Sequence, residues 1–220
     1  MRHPGSRLSG RKVDPGAANP ETAGMRLFTA LPLPAPTVAH LEKIQQTLRK
    51  NPSLDKDLSW TRPENLHVTL KFLGEIDEKH LPNLIAALRK IHMPPMMLTV
   101  DRFLCLPSKG PVRVLAAALK GELRAITALF EKLEPTVQPL GVAREGREYK
   151  PHVTLARVKR PSLKHTPQTL SRLVDPFLLP TPSFTVERFA LYESTLTPDG
   201  PIYRELASVP QVPSVAPKGA

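Results

Sequence analysis

Two features of the residue order predict an α+β protein of two related lobes. The hydrophobic period switches repeatedly between that of a strand and that of a helix, in the order strand, helix, strand, helix, and then something similar again. The tetrapeptide His-Val-Thr-Leu stands at residues 67–70 and returns at 152–155, with enough chain between to complete one lobe and cross to the other. The self-similarity is too weak for a solenoid. At 220 residues, 40% hydrophobic and 23% charged, the chain can bury a core and is not globally disordered.

Residues 1–24, MRHPGSRLSGRKVDPGAANPETAG, lack hydrophobic periodicity and predict a flexible extension. The body is expected over 25–207. Residues 26–31 read as a strand, and the next helix carries Val38, Leu41, Ile44 and Leu48 on one face. The stretch 66–73 alternates and ends at Gly74, a strand followed by a turn. Asp77 can cap a second helix bearing Leu81, Leu84, Ile85, Leu88 and Ile91. Strands follow near 96–105 and 112–119, and a third helix groups Leu123, Ile126, Leu129, Phe130 and Leu133. The second His-Val-Thr-Leu opens another strand after Pro151, and strands near 184–193 and 202–207 finish the body. The Pro-rich end, 208–220, predicts a loose tail.

Lys and Arg number 31 against 20 Asp and Glu, a net charge of +11 that favours polyanionic partners. The single cysteine, Cys105, cannot form an internal disulfide and sits in an apolar run, which suits a core position. No stretch approaches the ~18 apolar residues that span a membrane. The run 25–31 resembles the start of a signal peptide, but Pro32, Pro34 and Pro36 interrupt it, so a cytoplasmic protein without membrane association is expected.

In a strand, residues i and i+2 share a face. His67, Thr69 and Lys71 then point one way and Val68, Leu70 and Phe72 the other; His152 and Thr154 likewise oppose Val153 and Leu155. The same parity puts Arg157 opposite His152 unless the strand ends or twists first. One such pair fits an ordinary half-buried strand, whereas two identical contexts among seven histidines point to a shared site. Two facing imidazoles suit general acid–base catalysis, and two threonine hydroxyls can donate to an anionic oxygen held between them, which describes a phosphoester site. The chain has no HExxH, CxxC, Walker A loop, GxGxxG or GxSxG. A metal held by His67, His152 and scattered carboxylates is the weaker alternative.

These motifs, with their flanks, resemble the 2H phosphoesterase superfamily, specifically its RNA 2′,3′-cyclic phosphodiesterase family, also called 2′–5′ RNA ligase-like proteins. The resemblance runs over about residues 25–206. It includes MRLFTALPLP at 25–34, WTRPENLHVTLKFLGE at 60–75, YKPHVTLAR at 149–157 and FALYESTLTPDGPIYREL at 189–206. It implies two pseudo-symmetric lobes, each an antiparallel-rich sheet with helices, enclosing a central cleft. It also implies hydrolysis of an RNA 2′,3′-cyclic phosphate end to a 2′-phosphomonoester with no metal or other cofactor. By resemblance His67 is the proton donor and His152 the proton acceptor, while Thr69 and Thr154 bind the phosphate oxygens. Arg157 matches a basic residue near the nucleotide, Lys71 is a further phosphate-binding candidate, and Phe28 or Tyr149 can stack on a base. Lys150-Pro151 departs from the family's usual Arg-Pro, which leaves Lys150 without bidentate geometry. The implied partner is RNA, or an oligonucleotide, with a cyclic phosphate end; a monomer without an obligatory protein partner is expected. Alternatives are action on 2′–5′ linked or small cyclic nucleotides, including ligation, and a non-catalytic RNA- or nucleotide-binding module. The presence of both His–Thr pairs argues against the last.

Overall fold

The computed structural model describes residues 24–146, 148–177, 182–198 and 200–210. Apart from Gly24, the extension expected at the start lies outside them, as does the tail from residue 211 onward. Strand β1 (Met25–Pro32) is an apolar run buried on both faces from Leu27 to Leu31, as a central strand must be. Helix α1 (Ala35–Arg49) starts where Pro34 and Pro36 favour a first turn, and buries Leu41, Ile44 and Leu48. Asn51 caps the short α2 (Pro52–Asp57), which leads into β2 (Leu58–Trp60). Neither was expected, because each is shorter than one hydrophobic period can reveal. Strand β3 (His67–Ile76) runs through Gly74 rather than turning there; its φ of 76° is one that glycine adopts without strain. Asp77 caps a single 3₁₀ turn, so α3 begins only at Leu81 and ends at Leu88.

Next come β4 (Met96–Leu106), β5 (Val114–Gly121), α4 (Leu123–Val137), β6 (His152–Val158) and α5 (Pro167–Val174), the last capped by Thr166. Strands β7 (Phe184–Val186), β8 (Phe189–Thr197) and β9 (Gly200–Val209) close the chain, so pairing continues past the boundary expected at 207. Cys105 is buried, and burial pushes its thiol up, in keeping with a core role.

All strands join one sheet in the order β7-β4-β5-β6-β3-β1-β8-β9, with β2 paired to β6. The order is symmetric about the β6–β3 seam. The unit β1-α1-β3-α3-β4 repeats as β5-α4-β6-α5-β8, and each unit sends its last strand across to the other half. The two lobes are therefore halves of a continuous sheet, joined at the seam by the pairing Val68↔Val153 between β3 and β6 and by β2 lying on the same edge of β6. Each unit's first helix also carries one buried polar residue aimed at the other unit's motif strand. Gln45 of α1 donates to the carbonyls of Leu155 (2.8 Å) and Thr61 (2.9 Å), and Glu134 of α4 accepts from Lys71. The two His-Val-Thr-Leu stretches thus lie side by side at the symmetry seam.

Candidate active site

With Val68 opposite Val153, antiparallel order sets His67 alongside Thr154 and Thr69 alongside His152. The four side chains expected to act together are half-buried on one face, while Val68, Leu70, Val153 and Leu155 are buried on the other. A backbone carbonyl two residues upstream orients each imidazole. The His67 Nδ1–H donates to the Asn65 carbonyl at 2.8 Å, and the His152 Nδ1–H donates to the Lys150 carbonyl at 2.6 Å. A carbonyl can only accept, so both rings carry their neutral-state proton on Nδ1 and leave Nε2 as the basic nitrogen. The His67 Nε2 accepts a hydrogen bond from the Thr69 hydroxyl at 2.9 Å.

Burial lowers the pKa of both rings, His67 to about 4, and the bonds to the Asn65 and Lys150 carbonyls oppose this only in part. Positive charge adds to the depression: Arg157 lowers both histidines, and His152 lowers His67. At neutral pH both imidazoles are therefore uncharged in the unliganded protein. An anion between them would reverse the Coulombic contribution and favour protonation.

Strand parity fails in both motif strands, and in the same way. Opposite β3, Thr29 pairs with Lys71 and Ala30 with Thr69, so Leu70 is an extra residue; opposite β6, Leu115 pairs with Ala156 and Ala116 with Thr154, so Leu155 is extra. Each fourth residue of His-Val-Thr-Leu is thus a β-bulge, and the residues directly after it change face, in β3 as far as a second irregularity at Leu73. This corrects three expectations. Lys71 leaves the site face and is buried, with its Nζ 2.6 Å from Glu134 Oε1 and 2.9 Å from the Ala143 carbonyl, so it is committed to a core ion pair and does not face a phosphate. Arg157, expected opposite His152, is exposed on the same face, and its charge also lowers the pKa of Tyr203. Phe72 likewise moves from the expected apolar face to the open one, where it is 63% exposed.

The two stacking candidates are both engaged within the protein. Phe28 is 2% exposed, too little to receive a base; its ring lies 5.1 Å from His67, 5.3 Å from Tyr192 and 4.8 Å from Tyr203, forming a packed floor under the imidazole. Tyr149 stacks on Phe130 with centroids 4.5 Å apart, and its hydroxyl donates to the Thr69 carbonyl at 2.9 Å. Lys150 is exposed and pairs with Glu148.

Beside His67 lies a hollow of about 410 Å³, lined by Phe28, Leu33, Val38, Glu42, Tyr192 and Tyr203 among others. Burial raises both tyrosine hydroxyls, Tyr192 to about 12, so they remain protonated donors. Sequence reasoning missed Tyr192, Tyr203, Asn65 and Phe72. The tyrosines had a signal in the terminal segment FALYESTLTPDGPIYREL; Phe72 had none, because nothing in Leu-Lys or Leu-Ala marks a bulge. Among the described residues no group of three or more His, Cys, Asp and Glu is arranged to hold a metal, and no helix is long and apolar enough to cross a membrane.

The geometry can be set beside known proteins. The family model for LigT-like phosphoesterases matches the chain twice in tandem, over 31–116 and 119–203, close to one match for each repeated unit. A Methanocaldococcus jannaschii protein named RNA 2′,3′-cyclic phosphodiesterase is 30% identical over 181 residues, covering 81% of this chain and 96% of its own length. A Thermotoga maritima protein of the same name is 31% identical over 184 residues, covering 83% and 93%. Among solved structures, TT0787 of Thermus thermophilus superposes with a TM-score of 0.68 at 30% identity, over 84% of this chain and 97% of the other. The tandem match spans both motif strands and the seam between them, and the chain belongs to the LigT-like phosphoesterase family.

Proposed function

We propose that this protein is a phosphodiesterase that opens RNA 2′,3′-cyclic phosphate ends to 2′-phosphomonoesters, with His67 and His152 as acid and base. The names of the Methanocaldococcus and Thermotoga relatives support the reaction class. The observation that carries the mechanism is the matched pair of imidazoles, each locked in the Nδ1–H tautomer, on adjacent strands at the seam. The anionic cyclic phosphate enters between them and raises the His67 pKa, so that its Nε2 binds a proton. His152 Nε2 takes a proton from water as the water oxygen attacks phosphorus. The P–O3′ bond breaks, and O3′ receives the proton from His67 Nε2. Hydroxyls of Thr69 and Thr154 donate to the non-bridging oxygens, and Arg157 offsets their charge. The terminal nucleoside occupies the hollow beside His67.

The direct test is an oligoribonucleotide ending in 2′,3′-cyclic phosphate, with the product's phosphate position identified. A 2′-phosphate is expected, and His67→Ala or His152→Ala should each lower kcat by ~10²–10⁴-fold while the protein stays folded. EDTA should change the rate little. Wild-type turnover in either histidine variant, or strict dependence on an added metal, would refute the two-histidine mechanism.

A further inference from the structure

One residue touches both halves of the site without facing the reacting atoms. The Tyr149 hydroxyl donates to the Thr69 carbonyl at 2.9 Å, and the Thr69 hydroxyl donates to His67 Nε2 at 2.9 Å. Tyr149 directly precedes Lys150, whose carbonyl receives the Nδ1–H of His152 at 2.6 Å. A continuous chain of contacts thus runs from one imidazole to the other through a single side chain. Among the described residues β3 and β6 themselves share one pairing, Val68↔Val153, while β2 holds the far end of β6 through Leu58–Trp60, so the backbone beside the histidines is pinned at a single point. The Tyr149 ring lies 3° from parallel against Phe130 of α4, and burial raises the pKa of its hydroxyl so that it stays a donor. The first half meets the same need differently. Asn65, whose carbonyl orients His67, donates from its side chain to the Pro201 carbonyl at 2.7 Å and is tied to its own half. Of these two, it is Tyr149 that crosses the seam.

We propose that Tyr149 is a positioning residue for both histidines: its hydroxyl straps the segment that orients His152 onto the strand that carries Thr69, setting the separation of acid and base. This rests on the acid–base reading above. Catalysis that needs two groups in register is sensitive to displacements of about 1 Å, which can cost ~10²-fold in rate.

Two variants of the intact chain separate positioning from stability. Tyr149→Phe keeps the ring stack and removes only the strap; Phe130→Leu weakens the stack and keeps the hydroxyl bond. Three readouts are compared: Tm, kcat and KM on the cyclic-phosphate oligonucleotide, and the His152 tautomer by ¹⁵N NMR at neutral pH. Tyr149→Phe should keep its Tm within a few degrees, lose ~10-fold or more in kcat with a smaller change in KM, and show His152 no longer confined to the Nδ1–H tautomer. Phe130→Leu should lower Tm while kcat and tautomer stay near wild type. Wild-type kcat with an unchanged tautomer in Tyr149→Phe would overturn the proposal, as would loss of kcat in step with Tm in both variants. If the wild type leaves the substrate untouched, the reading of the reaction fails, and the tautomer comparison alone then decides for or against the strap.

Discussion

Burial holds the His67 imidazole at a pKa of about 4, and this links the candidate site to folding. The unfolded chain has an ordinary histidine near 6.5, so between pH 6.5 and 4 it binds a proton that the native protein refuses. Stability conferred by the neutral native ring is therefore fully present above pH 6.5 and is lost as pH falls toward 4; His152, also lowered, acts in the same direction. Chemical denaturation between pH 7 and 4 should show this decline, and His67→Asn should make it shallower. In the proposed mechanism the same depressed value means that ligand charge must help to protonate His67 before it can serve as an acid. The residue types of the site were legible in the sequence, because a repeated His-x-Thr on strands places like groups on like faces. The tautomers were not, since they depend on where the Asn65 and Lys150 carbonyls fall in space.

At the scale of the element, the bulge decides which side chains the site receives. HVTLKFL in β3 and HVTLARV in β6 show the same pattern of exposure, because each has an extra residue at the leucine of its His-Val-Thr-Leu. Simple alternation placed Lys71 in the site and Arg157 outside it, and the bulge exchanges them. The ion pair of Lys71 with Glu134 is then a core contact, and its energetics follow the rule for buried charges. Lys71→Ala should destabilise by about 3 kcal/mol by removing the buried partner of Glu134 and leaving it only the Glu145 N–H and the exposed Arg144, whereas the double change Lys71→Met with Glu134→Leu should cost less than the single change. Both outcomes are readable from denaturant titration. The double variant should also keep its phosphodiesterase activity, which a phosphate-binding Lys71 could not. Arg157→Ala, by contrast, should raise KM on the cyclic-phosphate oligonucleotide with little effect on Tm.

At the scale of the molecule, pseudo-symmetry builds a site from two half-sites that neither half completes. The crossed strands β4 and β8 and the crossed buried contacts of Gln45 and Glu134 lock each half to its neighbour, which lets β3 and β6 meet at the seam through one pairing, Val68↔Val153. The net charge of +11 adds a field that acts on any polyanion. Affinity for a single-stranded oligoribonucleotide should fall linearly with salt on logarithmic axes, with a slope of about −0.7 for each phosphate neutralised. A mononucleotide cyclic phosphate, which meets the site alone, should show a much shallower slope in the same titration.

The chain's order of periods and its repeated tetrapeptide were sufficient to determine an α+β fold of two related halves and the identity of the four central side chains. Both depend on local patterning, which a strand or helix expresses wherever it lies. Tertiary structure alone decided that the two motifs would be neighbours at a seam, that Lys71 would turn inward and Arg157 outward, and that Tyr149 would bind across the seam instead of stacking on a base. Those outcomes come from pairing register and from partners distant in sequence, Leu115 and Ala116 opposite β6, Glu134 against Lys71 and Thr69 against Tyr149. A bulge is created by two strands together, and neither strand's own residues record it.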